Sequence, residues 1–254
     1  MQNFTIRDIE NLTGIKAHTL RIWEQRYRFL TPKRKESLHR FYDNEDLKNM
    51  LRISFLYHRG WKVSKIAALT PEEIVLKVQE TAPGPPGAGH WVTQLIEAAL
   101  DFNEPAFVAV LQEATAAMGF EQCILQVAYP YLHKLGLLWS TSNIIPAQEH
   151  FSSYIIQNRI IAEMEKIDAG AAAPEIILLC PQGEYHELPL LFINYLLRSH
   201  GWATLYLGTN VRKNELEQLS GLPSLRYVYL HLITNFTGLF VDEYLEEVCR
   251  IFPG

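Results

Sequence analysis

The sequence predicts a multidomain α and α/β chain, built from a winged helix-turn-helix head, a four-helix bundle and a partial Rossmann-like (flavodoxin-like) parallel sheet. Three observations predict it. Ile6, Ile9 and Leu12, then a TGI turn, then Leu20 and Trp23 give two short helices joined by a glycine-containing turn. From Trp91 to Asp168, apolar residues recur at helical spacing. From about residue 175, short apolar runs alternate with helical segments, as in parallel strands joined by right-handed crossovers in a doubly wound sheet.

Composition sets the outer limits. At 254 residues the chain has room for two or three domains of about 100 to 200 residues each. A hydrophobic content of 48% with 20% charged residues is globular, and no apolar run approaches the ~20 residues that span a bilayer. The start, MQNFTIRDIE, lacks the basic and apolar stretches of a signal peptide, so the expectation is a cytoplasmic protein without membrane contact. Cys123, Cys180 and Cys249 are far apart and form no CxxC pair, which argues against a disulfide framework or a zinc site and for buried small residues.

Charge is distributed unevenly. Residues 1–70 hold 14 Lys/Arg against 7 Asp/Glu, whereas the remainder holds 9 against 21. One basic end on an otherwise acidic chain is the electrostatic footprint of a polyanion-binding unit. TAPGPPGAGH, residues 81–90, reads as a linker, and DAGAAAP, residues 168–174, is a shorter break. The expected domains are therefore 1–80, 91–170 and 174–254.

In the head, the second helix is expected over about Ala17 to Arg26, with Lys16, His18, Thr19 and Arg21 at or near its start, where a recognition helix meets base edges. Lys33, Arg34 and Lys35, then His39, Arg40, Phe41 and Tyr42, flank a turn, as in a basic hairpin that grips phosphates. TIRDIENLTGIKAHTLRIWEQRY, followed by LTPKR, HRFY and DNEDL, resembles the winged-helix head of the MerR family of transcriptional regulators over residues 4 to 70. The resemblance implies binding to double-stranded promoter DNA, with backbone or base roles for Arg21, Arg34, Arg40 and Tyr42 and packing roles for Trp23 and Phe41. Members of that family usually dimerise through a long helix after the head. PEEIVLKVQE is too short for the three or more heptads of a zipper, so self-association as a dimer or tetramer has to come from elsewhere.

The middle region reads as four helices, about 91–102, 105–118, 120–139 and 146–168. Pro105 and Pro146 lie near helix starts, Thr141, Ser142 and Asn143 are available as caps, and Pro130 is expected to kink the third helix. Short connections make these a bundle. By themselves, Trp139 at a helix end and Glu149 and His150 at the next helix start read as a packed indole and a capping carboxylate. The segment LGLLWSTSNIIPAQEHFSS nevertheless resembles the Trp-x9-Glu-His signature of cobalamin-binding photoreceptor regulators of the CarH and LitR type. That resemblance implies that Trp139 covers the upper face of adenosylcobalamin and that Glu149 and His150 bond near its adenosyl group.

EIILLC, WATLYLG and LRYVYLHLI are the expected strands, with helices in LPLLFINYLLRSHG, NELEQLS and DEYLEEVCRIF. The loop PQGEYHELP follows the first strand, at the end where open parallel sheets bind ligands. His186 in that loop is either a solvated side chain or a metal ligand with Glu184 behind it. Pro174 to Glu217 resembles the cobalamin-binding Rossmann-like domain, whose Asp/Glu-x-His-x-x-Gly loop matches Glu184 and His186 and carries Pro189 at its glycine. The resemblance implies His186 as the lower axial ligand of cobalt and Glu184 as its orienting acid. His231 and Leu232 stand about where that family has Ser-x-Leu, and three strands are expected where the family has five. The expected function is a transcriptional regulator, not an enzyme, that binds adenosylcobalamin and senses light. The alternative is the same head with a cobalamin-free module for a protein or another small ligand.

Overall fold

The computed structural model describes residues 4–27, 29–30, 32–34, 40–80, 88–140, 146–168, 172–233 and 241–252. The chain divides into two compact units, residues 1–155 and 156–254.

The first unit begins with α1, Ile6–Thr13, and α2, Ala17–Tyr27. Thr5 and Asp8 form a capping box at the start of α1, satisfying amides that the first turn leaves unpaired. At its other end Gly14 adopts φ +73, the left-handed conformation that a side chain disfavours, and so turns the chain tightly into α2. The expected hairpin is present as β1, Lys33–Arg34, antiparallel to β2, Arg40–Phe41, with Phe4 and Tyr42 bridged beside it. Residues 35–39, with Lys35 and His39, lie outside the described residues. Asp43 and Asp46 then cap α3, Asn44–His58, which is followed by α4, Val63–Ile66, and α5, Pro71–Glu80. Of the spacing read from the sequence, Ile9, Leu12, Leu20 and Trp23 are buried together with Phe4, Leu47 and Met50, whereas Ile6 is only partly buried.

Most of the expected linker, residues 81–87, lies outside the described residues, but Gly89 and His90 already belong to α6, Gly89–Leu100. Asn103 caps α7, Glu104–Met118, and accepts from the amide of Ala106 at 3.1 Å. The third helical stretch is composite: α8, Phe120–Cys123, a π-helical turn at Ile124–Ala128, and α9, Tyr129–Ser140. Pro130 has no amide hydrogen and its ring crowds the carbonyl four residues back, and a wider π turn precedes it. The fourth helix is α10, Pro146–Met164; Thr141, Ser142 and Asn143 before it lie outside the described residues. Phe107 packs edge-on against Tyr131 and Phe151, at 5.3 and 5.9 Å between ring centroids, and the Tyr131 hydroxyl meets Ser152 Oγ at 2.5 Å.

Within this unit the head is docked on the helices that follow it. Arg52 of α3 grips Glu97 of α6 with two bonds, Nε to Oε1 at 3.1 Å and Nη2 to Oε2 at 2.7 Å. Lys48 reaches both oxygens of Asp101 at 2.7 Å. Lys134 of α9 donates to the Leu12 carbonyl at 3.0 Å.

The second unit carries a parallel three-stranded sheet of β3, Ile176–Pro181, β4, Thr204–Val211, and β5, Tyr227–Leu230, in the order β4-β3-β5. Its helices are α11, Glu187–Ser199, α12, Lys213–Glu217, and α13, Val241–Ile251. Alternate residues of the central strand fill opposite cores. Ile177 and Leu179 pack with Val211, Leu216, Tyr244 and Val248, whereas Ile176, Leu178 and Cys180 pack with Leu190. A strand covered on both faces is apolar throughout, which is why EIILLC is continuous rather than alternating. Cys123 and Cys180 are buried as expected; Cys249 is exposed, because it lies on a part of α13 that does not face the sheet. Among the described residues no helix is long and apolar enough to cross a membrane.

Candidate functional site

The DNA-facing candidates are set by α2 and the hairpin. Lys16, His18 and Arg21 are exposed and Thr19 is half-buried, all on or just before the first turns of α2. Lys16 pairs with Glu10 at 3.1 Å. Leu20 and Trp23 anchor the opposite face, with Trp23 edge-on to Phe29 and Tyr57. Arg34 and Arg40 face each other in the hairpin register; Arg40 is exposed, and the side chain of Arg34 lies outside the described residues.

Tyr42 requires a correction. It is fully buried and its hydroxyl donates to Glu24 at 2.9 Å, so it packs the hairpin onto α2 instead of presenting its ring or hydroxyl to DNA. The same Glu24 lies 3.9 Å from Arg40. Burial and the neighbouring carboxylate both raise the phenol's pKa, so it stays protonated and keeps donating. Sequence reasoning missed Glu24, Asp43 and Lys33 as organisers of this surface: Lys33 pairs with Asp43, tying β1 to the cap of α3. The only signal was their acidic and basic character within a basic stretch.

In the bundle, Glu149 and His150 lie in the first turns of α10, with His150 Nδ1 3.0 Å from Glu149 Oε2. Ser153 Oγ donates to the other Glu149 oxygen at 2.5 Å. His150 is largely exposed. Trp139 is on the last turn of α9, and its side chain lies outside the described residues.

At the carboxyl end of β3, Glu184 is fully buried yet its carboxylate is used by four donors. Oε1 accepts the amides of Tyr185 and His186, both at 2.9 Å, and His186 Nδ1 at 2.5 Å; Oε2 accepts the Ile233 amide at 3.0 Å. Burying a carboxylate is costly unless it is bonded in this way. Holding Nδ1–H leaves Nε2 of the neutral ring as the free lone pair, on a side chain that is about half exposed at 52%. Asn210, at φ +58, clamps the loop from β4: its Oδ1 accepts from Gly183 N at 2.9 Å and its own amide donates to the Glu184 carbonyl at 3.1 Å. Sequence reasoning passed over Asn210, two residues beyond the expected strand WATLYLG.

Among the described residues no three His, Cys, Asp or Glu side chains converge to hold a bare ion. One carboxylate-backed imidazole instead suits a metal whose other ligands come from its own macrocycle, so the donor set fits the cobalt of a corrinoid. His231, just beyond β5, has its Nε2 buried without a partner among the described residues and its ring stacked on Tyr229 at 6.2 Å, leaving a buried polar atom for a ligand to satisfy. Burial lowers its pKa, so it stays neutral. Pro189 falls in the first turn of α11, where its missing amide hydrogen breaks no helical bond.

Comparison with known proteins matches the head and the helical bundle that follows it. Residues 4–73 match the MerR HTH family regulatory protein model, and residues 91–162 match the B12 binding domain model. The chain is 26% identical over 221 residues to the HTH-type transcriptional repressor CarH of Myxococcus xanthus, covering 85% of this chain and 74% of that protein. It is 29% identical over 213 residues to the repressor CarA of the same organism, covering 81% and 68%. The HTH-type regulator MlrA of Escherichia coli matches over 75 residues at 33% identity. The long relatives are transcriptional repressors, not enzymes. A MerR HTH model over residues 4–73 and a B12 binding domain model over residues 91–162 thus match one chain, which is homologous to CarH and CarA over most of its length.

Proposed function

We propose that the protein is an adenosylcobalamin-dependent repressor that binds promoter DNA as a dimer or tetramer and responds to light. The observation that carries the cofactor reading is the pairing of His186 with the buried Glu184. His186 Nε2 would hold the cobalt, and Glu184 fixes the tautomer and orientation that make this nitrogen the donor. Asn210 holds the loop in place from the neighbouring strand. Trp139, Glu149 and His150 keep the upper-face roles that their resemblance implies. When bound, the cofactor supplies a light-labile cobalt–carbon bond. On the DNA side Lys16, His18, Thr19 and Arg21 read the major groove, and Arg34 and Arg40 hold phosphates.

Reconstitution in the dark with adenosylcobalamin, then gel filtration and absorption spectroscopy, tests this reading. Corrinoid retained by the wild type and lost or weakened in His186→Ala supports it; no retained corrinoid sinks it. Mass measurement by light scattering, dark and illuminated, tests assembly. Pro189, three residues beyond His186 in the first turn of α11, favours the second reading: a regulator whose second unit binds a protein or another small ligand. Absence of corrinoid with intact operator binding would select it.

A further inference from the structure

Where the head is docked on the bundle, there is a cavity of about 290 Å³ whose lining, among the described residues, holds Arg59, Lys134 and two histidines and no carboxylate. From the head, His58 and Arg59 at the end of α3 line it; from the helices beyond, His90 of α6 and Lys134 of α9 do. Its floor includes Phe55, against which the His90 ring packs at 5.1 Å and over which the Arg59 guanidinium lies at 5.2 Å.

These groups are not consumed by one another. Lys134 gives one proton to the Leu12 carbonyl at 3.0 Å, which leaves two of the three donors of its ammonium. His58 Nε2 meets the Thr13 carbonyl at 2.8 Å, which leaves Nδ1. His90 is only 5% exposed, a buried imidazole in the lining of this cavity. Ala88 and Gly89, also in the lining, begin α6, which has no side-chain cap and no acidic residue in its first turn. The unpaired amides of a helix start and its positive dipole end therefore face the same space as the cations. Burial without a carboxylate pulls the Lys134 ammonium below its usual range, the condition that a bound anion would relieve.

We infer that this cavity is a binding site for a small oxyanion, a phosphate- or carboxylate-bearing metabolite, held by Lys134, His90, Arg59 and the start of α6. The volume lies at the small end of the range for ligand pockets, roughly 300 to 1,000 Å³, and so selects a compact molecule. Because the donors come from both sides of the docked seam, the occupant acts as a clamp: it stabilises the docked head by mass action and links the level of a metabolite to the posture of the DNA-reading unit. This site is separate from His186 and stands whether or not corrinoid binds.

The test titrates the full chain with inorganic phosphate against chloride at matched ionic strength, following thermal unfolding and the phosphorus NMR line width. The expected result is a saturable rise in Tm and a saturable broadening, with affinity weakened about tenfold or more in Lys134→Met and in His90→Leu. Should either variant fail to melt cooperatively, the wild-type imidazole proton resonances decide: those of His90 and His58 shift with phosphate and not with chloride. A response no larger than chloride's, or one unchanged in both variants, overturns the inference. So does a response abolished by Arg21→Ala with Arg40→Ala, since that would place phosphate on the DNA-reading face. If only inorganic phosphate at crystal-like concentration binds, with no rise in Tm in the millimolar range, the site is adventitious and the inference fails.

Discussion

His186 Nδ1 lies 2.5 Å from Oε1 of a fully buried Glu184 that also holds three backbone amides. The carboxylate is therefore a structural strut and the orienting partner of a ligand at once. Glu184→Gln keeps the shape but loses charge-assisted bonding. It should lower corrinoid affinity about 10- to 100-fold, measured by spectroscopic titration in the dark. Glu184→Ala should in addition cost about 2 to 3 kcal/mol of stability in chemical denaturation, because the amides of Tyr185, His186 and Ile233 lose their acceptor. A Glu184→Gln protein that binds corrinoid like the wild type would detach the acid from the cofactor role.

Arg21 and Arg40 should separate by the kind of DNA contact they make. Arg21→Ala, in the first turns of α2, should weaken binding and relax preference at its base position by about 1 to 3 kcal/mol. Arg40→Ala, on the exposed hairpin, should weaken all sequences alike and reduce the salt slope by about one. Tyr42→Phe should leave the salt slope unchanged and cost about 1 kcal/mol of stability, since its hydroxyl is spent on Glu24. Quantitative DNA retardation at several salt concentrations distinguishes the three.

Asp43 caps α3 and pairs with Lys33 of β1. Asp43→Ala should therefore cost about 1 to 2 kcal/mol by denaturant melting and lower DNA affinity through a loosened hairpin, whereas Asp43→Asn should restore most of the stability but not the pairing. Equal loss of stability in both variants would remove the cap from the account.

The Arg52–Glu97 pair holds the head to α6 with two bonds on partly buried side chains. Arg52→Glu should destabilise the first unit by about 2 kcal/mol or more, since it leaves two carboxylates facing each other, and adding Glu97→Arg should recover part of the loss. A double-mutant cycle read by thermal unfolding checks the coupling; additive effects would show that the two residues do not interact.

Burial lowers the His90 pKa below its usual value of 6.5, with Arg59 pushing the same way and Glu113 opposing. A depressed folded-state value means that the residue contributes its full stability above about pH 6.5, and that this contribution fades as pH falls through the lower, folded value. In phosphate-free buffer the wild type should thus lose stability more steeply than His90→Leu as pH falls below about 6.5. Parallel pH profiles for the two proteins would assign the acid sensitivity to other groups.

Much of this architecture was legible along the chain, because it rests on local pattern. Helical spacing in residues 91–168 reports which face is buried, and continuous apolar runs mark strands covered on both faces, whereas the caps Thr5, Asp43 and Asn103 were not read from the sequence. The Glu184-x-His186 pairing was also legible, since two residues on one loop at a strand end are neighbours by covalent geometry. Long-range placement was not. Tyr42 became a core residue because Glu24, 18 positions earlier, takes its hydroxyl, and Asn210 became a clamp because β4 runs beside β3. Arg52 and Glu97, 45 positions apart on either side of a Pro/Gly stretch, are paired by nothing local in the sequence. Sequence alone determined the elements and the chemical character of their faces, because those follow from local propensity and periodicity. Which polar groups meet, and where uncompensated cations gather around a cavity, was decided only when packing brought distant segments within hydrogen-bonding range.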